Sequence, residues 1–422
     1  MSDQAATTGS RYRYWVLGIL LFVYTLNFVD RVVLGALVPP IKAQLQLTDT
    51  QLGLLGGTAF ALFYTALGIP IGWLADRVNR VWIVTLALGL WSGFTAMCGL
   101  AQNFAQLFLA RLGVGVGEAG GVAPSYSLVA DYFPPAQRAR ALGVYAFGIP
   151  IGSALGLLFG GVIAAWIDWR MAFFIVGGVG LLAAPLLKLV VREPQRGALD
   201  GQRPADAPPG FGSVLRLLLR KPSFWGLSLG GASSSIMAYG ALFWLPSFFV
   251  RSYGMTLVQM SVFYSALTLV GGVLGIWLGG ALADRYGAAR RSAYALVPAG
   301  AFVLTVPGYV IGVLSPSLSW ASVIFIVPIA LGLVWLGPTT AAIQHLVPPG
   351  MRALASAIFL FINNLIGLGC GSLMIGALSD AMRTRYGVDA LRYAILAGTG
   401  FYLLAALCFY LASRRLERDW VH

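Results

Sequence analysis

The 422-residue chain is 58% hydrophobic and 10% charged, with a net charge of +13 and a mean hydropathy of +0.80; soluble domains carry about 25% charged residues. This composition excludes a soluble fold. The basic residues are scattered over short loops, which excludes a nucleic-acid surface that would gather them on one face.

Arg11 and Arg13 precede a first apolar segment at 14–39. It is too long for a signal-peptide core and lacks a small-residue cleavage site, so it is expected to stay in the mature protein. Similar runs recur, each near the ~20 residues a helix needs to cross a bilayer. The expected spans are 14–39, 51–74, 82–101, 104–129, 141–165 and 171–191, then 223–249, 259–283, 292–313, 319–342, 353–378 and 390–413. The fold class is therefore an all-α polytopic membrane protein, with twelve transmembrane helices in two six-helix pseudo-repeats. The expected domains are an N-terminal bundle at 1–191, a cytoplasmic linker at 192–222 holding Pro194, Pro204, Pro208 and Pro209, and a C-terminal bundle at 223–422. Laying the loops on alternate sides puts roughly twenty of the 28 basic residues on one face. The positive-inside rule then places both termini and the linker in the cytoplasm.

The halves echo each other. Gly72-Trp73-Leu74-Ala75-Asp76-Arg77 after the second span returns as Gly280-Ala281-Leu282-Ala283-Asp284-Arg285 after the eighth. Repeats related along the membrane normal imply a substrate path between them.

Within the spans, the deep charges are Asp30, Arg31, Arg111 and Glu118. A central charge costs at least ~2.5–3.5 kcal/mol on insertion scales, so these four need mutual pairing or a watery cavity. Arg111 and Glu118, seven residues apart, share a helix face, as do Asn27, Asp30 and Arg31. One interpretation is an ion-pair lock holding the first and fourth spans together. The other is a proton switch: a guanidinium favours the ionised carboxylate, so moving an arginine between partners moves a proton. His345 is read as structural, leaving the carboxylates as proton carriers. The second half offers only uncharged polar groups at that depth, among them Ser233, Ser234, Ser235, Tyr239, Asn363 and Asn364. A charged wall facing an apolar one suits an amphiphile. The three cysteines, Cys98, Cys370 and Cys408, lie in apolar segments and read as small core residues, so no metal or cofactor is expected. The glycines at 113, 115 and 117 lie mid-span without a preceding strand, which rejects nucleotide binding. Those at 148, 152, 156 and 160 are expected to let helices approach.

The doubled Gly-x-Leu-Ala-Asp-Arg loop with twelve spans resembles the major facilitator superfamily. Asn27-Phe28-Val29-Asp30-Arg31, the run from Arg111 to Ala119, and Ile149-Pro150-Ile151-Gly152 resemble its Spinster family, in a bacterial form. The resemblance implies a proton-coupled, alternating-access carrier of lysophospholipids or related phosphate lipids. Asp30 and Glu118 would couple protons. Asn27, Arg31, Arg111, Tyr239, Asn363 and Asn364 would bind substrate. Asp76, Arg77, Asp131, Arg138, Asp284 and Arg285 would form a cytoplasmic gate. Asn79 and Val81 depart from the superfamily's loop pattern. A monomer in a bacterial inner membrane is expected, with protons, an amphiphile and the bilayer as partners. The alternatives are a carrier of soluble organic anions or drugs, a membrane-embedded lipid enzyme and a transporter-like receptor. An enzyme is disfavoured because no acid or histidine of the second half stands ready to activate Ser233 to Ser235.

Overall fold

The computed structural model describes residues 2–75, 77–196, 199, 211–287, 290–348 and 351–421, with the backbone alone at 2–10, 135, 136, 139, 322 and 353. Every regular element among them is helical. In chain order these are α1 (Ser2–Leu45) and α2 (Asp49–Gly53), which runs through a π turn at Leu54–Thr58 into α3 (Ala59–Ala75). There follow α4 (Arg80–Cys98), α5 (Phe104–Glu118), α6 (Val122–Tyr132), α7 (Pro135–Ala146), α8 (Gly148–Trp166) and α9 (Trp169–Val190). Beyond them lie α10 (Phe211–Leu219), α11 (Pro222–Tyr253), α12 (Leu257–Gly287), α13 (Ala293–Leu314), α14 (Leu318–Leu331), α15 (Leu336–His345), α16 (Arg352–Asn363), α17 (Gly369–Tyr386), α18 (Ala390–Gly398) and α19 (Gly400–Asp419).

Among the described residues, ten helical stretches are long and apolar enough to cross a membrane. The last, Leu354–Asp419, holds two expected spans. The expected fourth span, broken into α5 and α6, completes the twelve. Its break has a local cause. Gly120 and Gly121 propagate a helix poorly and Pro124 lacks an N–H, so the amides of Gly120 and Gly121 turn back to the carbonyls of Gly117 and Glu118 at 3.2 and 2.9 Å. The spans expected at 319–342 and 353–378 are interrupted likewise, near Gly332 and at a π turn over Asn364–Leu368.

By packing, the chain forms two units, Met1–Gln46 with Ala59–Pro204, and Leu47–Thr58 with Ala205–His422. In the first, α8 lays its glycines against α1. A Cβ at Gly156 would fall 2.7 Å from the Val29 carbonyl oxygen, and one at Gly160 would fall 2.8 Å from Val33 Cγ2. That contact turns Val29 and Val33 toward α8, and Arg31 lies about 200° around the helix from Val29. The polar cluster of α1 is thereby directed away from α8.

In the second unit, aromatic side chains of α11, α13, α14 and α19 form the core, with Phe248, Phe325, Tyr309, Tyr402 and Phe302 in a chain of ring contacts. The segment 47–58 belongs to this unit through a polar cluster absent from the sequence expectations. Asp49, 3% exposed, accepts two bonds from Arg251 at 2.8 and 2.9 Å and one from Ser379 at 2.7 Å. Asp380 accepts from the Thr50 amide and hydroxyl at 2.7 and 2.6 Å. Within the stretch expected as linker, α10 buries Val214 and Leu218, and Glu193 is held by Arg80 as described below.

Candidate functional site

The four deep charges come together within the first unit as two crossed ion pairs. Arg31 of α1 donates from Nε to Glu118 Oε2 of α5 at 2.7 Å, and Arg111 of α5 donates from Nη1 to Asp30 Oδ1 of α1 at 3.2 Å. The seven-residue spacing of Arg111 and Glu118 makes this possible: it sets them two turns apart on one face of α5, where α1 meets both. Glycines seat α5 between its neighbours. A Cβ at Gly117 would lie 2.5 Å from the Trp91 amide nitrogen of α4.

The two pairs differ in setting. Asp30 and Arg111 are each 1% exposed, and the Thr95 hydroxyl of α4 also contacts Asp30. Glu118 is fully buried, but the Arg31 side chain is 9% exposed. Its guanidinium lies 5.1, 4.9 and 4.5 Å from the ring centroids of Phe28, Phe60 and Tyr64. Such rings attract a desolvated cation by about 2 kcal/mol. Arg31 therefore has a second source of stabilisation besides Glu118, and Arg111 does not share it to the same degree, with Phe60 at 5.8 Å. Asn27 completes the cluster. It is 1% exposed, and neither amide atom has a hydrogen-bond partner among the described residues; the same holds for Glu118 Oε1 and Arg111 Nε. Buried polar atoms are rarely left so, and these mark capacity for a ligand or water.

Thr95, Phe60 and Tyr64 were not singled out from sequence. The one usable signal was the four-residue spacing of Phe60 and Tyr64 along a helix face.

The candidates of the second unit are more engaged in packing. Ser233 donates to the Phe401 carbonyl at 2.8 Å, Ser234 to Gly231 at 2.9 Å and Ser235 to Asn363 Oδ1 at 3.0 Å. Asn363 closes α16 and Asn364 opens the π turn, an element found often at functional sites. Tyr239 and Asn364 are half-buried. His345 stacks on Trp420 with centroids 4.4 Å apart. Among the described residues from 211 to 421, every buried polar side chain is Ser, Thr or Asn.

Of the expected gate residues, Asp76 lies outside the described residues. Arg77 donates to the Trp73 carbonyl at 3.0 Å and stacks on its ring. Arg138 donates to the Ala130 carbonyl at 3.0 Å. Asp284 and Arg285 are exposed, Arg285 beside Tyr286. Asp131 meets Arg80 at 2.5 Å, and Arg80 is the centre of this region although sequence assigned it no gate role. It is 1% exposed and also binds Glu193 at 2.7 Å and Ser127 at 2.7 Å. Arg196 donates to the Ala75 and Val78 carbonyls at 2.8 and 2.6 Å, fastening the chain after α9 to the loop after α3.

The Major Facilitator Superfamily profile matches residues 20–369. A protein from Mycolicibacterium smegmatis described as an MFS-type efflux pump is 37% identical over 99% of this chain and 96% of its own. Human protein spinster homolog 1 is 30% identical over 88% of this chain and 74% of its own. The chain belongs to the Spinster family of the major facilitator superfamily. Its fold agrees with the crystal structure of a bacterial homolog of the human lysosomal transporter Spinster, in an inward-facing and unoccupied conformation. That match has a TM-score of 0.88 and 32% identity, over 97% of this chain and 99% of the other. As a Spinster-family member the protein is a multi-pass membrane transporter rather than an enzyme.

Proposed function

We propose that this transporter carries lysophospholipids or related amphiphilic phosphate lipids by alternating access, coupled to protons. The crossed pairs are the observation that carries this reading. Glu118 and a bound anion would compete for Arg31, the less buried of the two arginines, so protonation of Glu118 would release Arg31 to a phosphate. Asp30 and Arg111 form the deeper pair, with Asp30 as the second proton-exchanging group and Arg111 and Asn27 supporting the headgroup. Tyr239, Asn363 and Asn364 would also bind the substrate, and the buried polar side chains among the described residues from 211 to 421, all Ser, Thr or Asn, suit an acyl chain. Asp76, Arg77, Asp131, Arg138, Asp284 and Arg285 would act as the cytoplasmic gate, with Arg80 and Glu193 added to it. The protein would be a monomer in a bacterial inner membrane, and the bias of basic residues to one side of the spans supports both termini lying in the cytoplasm.

Binding tests this reading. As pH falls, Glu118 takes up its proton and Arg31 is freed, so the affinity for a lysophospholipid is expected to rise. Glu118→Gln should remove that pH dependence, and Arg31→Gln should weaken binding at every pH. A carrier of soluble organic anions or drugs is the second reading, favoured by the similarity to an efflux pump. Thermal stabilisation by soluble carboxylates or sugar phosphates, with none by lysolipids, would select it.

A further inference from the structure

In the second unit, α13 and α19 leave an open apolar groove of about 470 Å³. Its lining follows the same spacing on both helices, at 296, 299, 300 and 303 on one and 403, 406, 407 and 410 on the other. This is one face of each helix. Ala299 and Ala406 are buried and form the floor, while Leu403 and Leu407 stand as walls, each more than half exposed. Gly300 deepens the groove, since a Cβ there would meet no atom within 4 Å.

The groove has one polar end. Tyr410 closes it, and Arg414 donates from Nη2 to the Tyr410 hydroxyl at 2.6 Å with its guanidinium 4.8 Å from the ring. Among the described residues Arg414 meets no carboxylate. The helices run antiparallel here, as the ring contacts of Tyr294 with Trp420 and Phe302 with Tyr402 require. The start of α13 therefore adds Arg290 and Arg291 to the end that carries Arg414, Arg415 and Arg418. Within the last two turns of α19, Asp419 accepts from Ser223 at 2.6 Å, and Glu417 stands beside Arg414, Arg415 and Arg418.

We propose that this groove is a binding site for a membrane phospholipid with an anionic headgroup, its acyl chain along α13 and α19 and its phosphate at Arg414. The volume falls within the ~300–1,000 Å³ of small-molecule sites. The groove opens on the exposed apolar flank of a membrane-spanning unit, so its occupant is drawn from the bilayer. The arginine cluster decides the headgroup, because a zwitterionic lipid brings its own cation to the same place. The site is independent of the substrate reading, as it shares no residue with the crossed ion pairs.

Native mass spectrometry of the delipidated full chain, titrated with dioleoylphosphatidylglycerol or dioleoylphosphatidylcholine, tests the proposal. The phosphatidylglycerol should be retained more tightly. Arg414→Gln should reduce that preference about fivefold, the worth of one basic residue near an anionic lipid surface. Gly300→Phe and the milder Gly300→Leu should displace the lipid by filling the groove, and should do so to the same extent in an Arg31→Gln background, where any lipid held at the ionic site is already weakened. Equal retention of the two lipids, or retention unaffected by both Gly300 variants, overturns the site. So does a shift from dimer to monomer caused by the Gly300 variants, which would make the groove a seam between two copies.

Discussion

Replacing Asp30 by asparagine keeps the side-chain volume but removes one charge from a pair whose members are each 1% exposed. Arg111 would be left as a buried cation whose Nε already lacks a partner among the described residues. Breaking a buried pair from one side costs about 3–5 kcal/mol. Glu118→Gln strikes a pair whose arginine is 9% exposed and lies over three aromatic rings. An attraction of about 2 kcal/mol from those rings offsets part of the loss, leaving a cost of about 1–3 kcal/mol. Thermal unfolding of the purified variants compares the two. At about 2–4 °C per kcal/mol for a unit of this size, Asp30→Asn should lower Tm by at least about 6 °C, and by more than Glu118→Gln does. Adding Arg111→Gln to Asp30→Asn removes both charges and should recover most of the loss, because deleting a whole buried pair is often near neutral. If Glu118→Gln costs as much as Asp30→Asn, or if the double variant is no better than the single, the division of the quartet into a buried anchor and a releasable pair is wrong.

Other consequences follow from packing and from the polar clusters. Gly156→Ala should destabilise by about 1–3 kcal/mol through overpacking against the α1 backbone, whereas Gly178→Ala, whose Cβ meets nothing within 4 Å, should be neutral or slightly stabilising; thermal unfolding of the pair distinguishes them. Arg80→Ala removes a partner of both Asp131 and Glu193, so cleavage at 192–196 in limited proteolysis should accelerate. Arg80→Lys should rescue this only in part, since one ammonium cannot reproduce the guanidinium fork. Asp49→Asn should free the second unit's hold on 47–58, read as faster amide exchange at Thr50 and Leu52.

Hydropathy made the span count legible, because a bilayer demands long apolar helices and tolerates few charges. The quartet was legible for the same reason: Asp30, Arg31, Arg111 and Glu118 are conspicuous only because their surroundings are apolar. Which acid meets which arginine was not legible, as that depends on how α8 rotates α1 and how Gly117 lets α5 approach α4. The breaks at Gly120 and Gly332 were foreshadowed by glycine and proline but hidden by uniform hydropathy. Asp49 was overlooked because it stands at the edge of an expected span, where a charge is unremarkable until Arg251 and Ser379 are seen around it. Arg80 and Glu193 were divided by 113 residues of sequence, and no local pattern joins them.

The central claim, that the quartet couples protons to the movement of an anionic amphiphile, is tested most directly by lysophospholipid flux in proteoliposomes under an imposed pH gradient. The wild-type protein should move the lipid faster with the gradient than without it. Glu118→Gln and Asp30→Asn should lose that acceleration while ligand binding by Glu118→Gln persists. Undiminished gradient-driven flux in both variants would contradict the account.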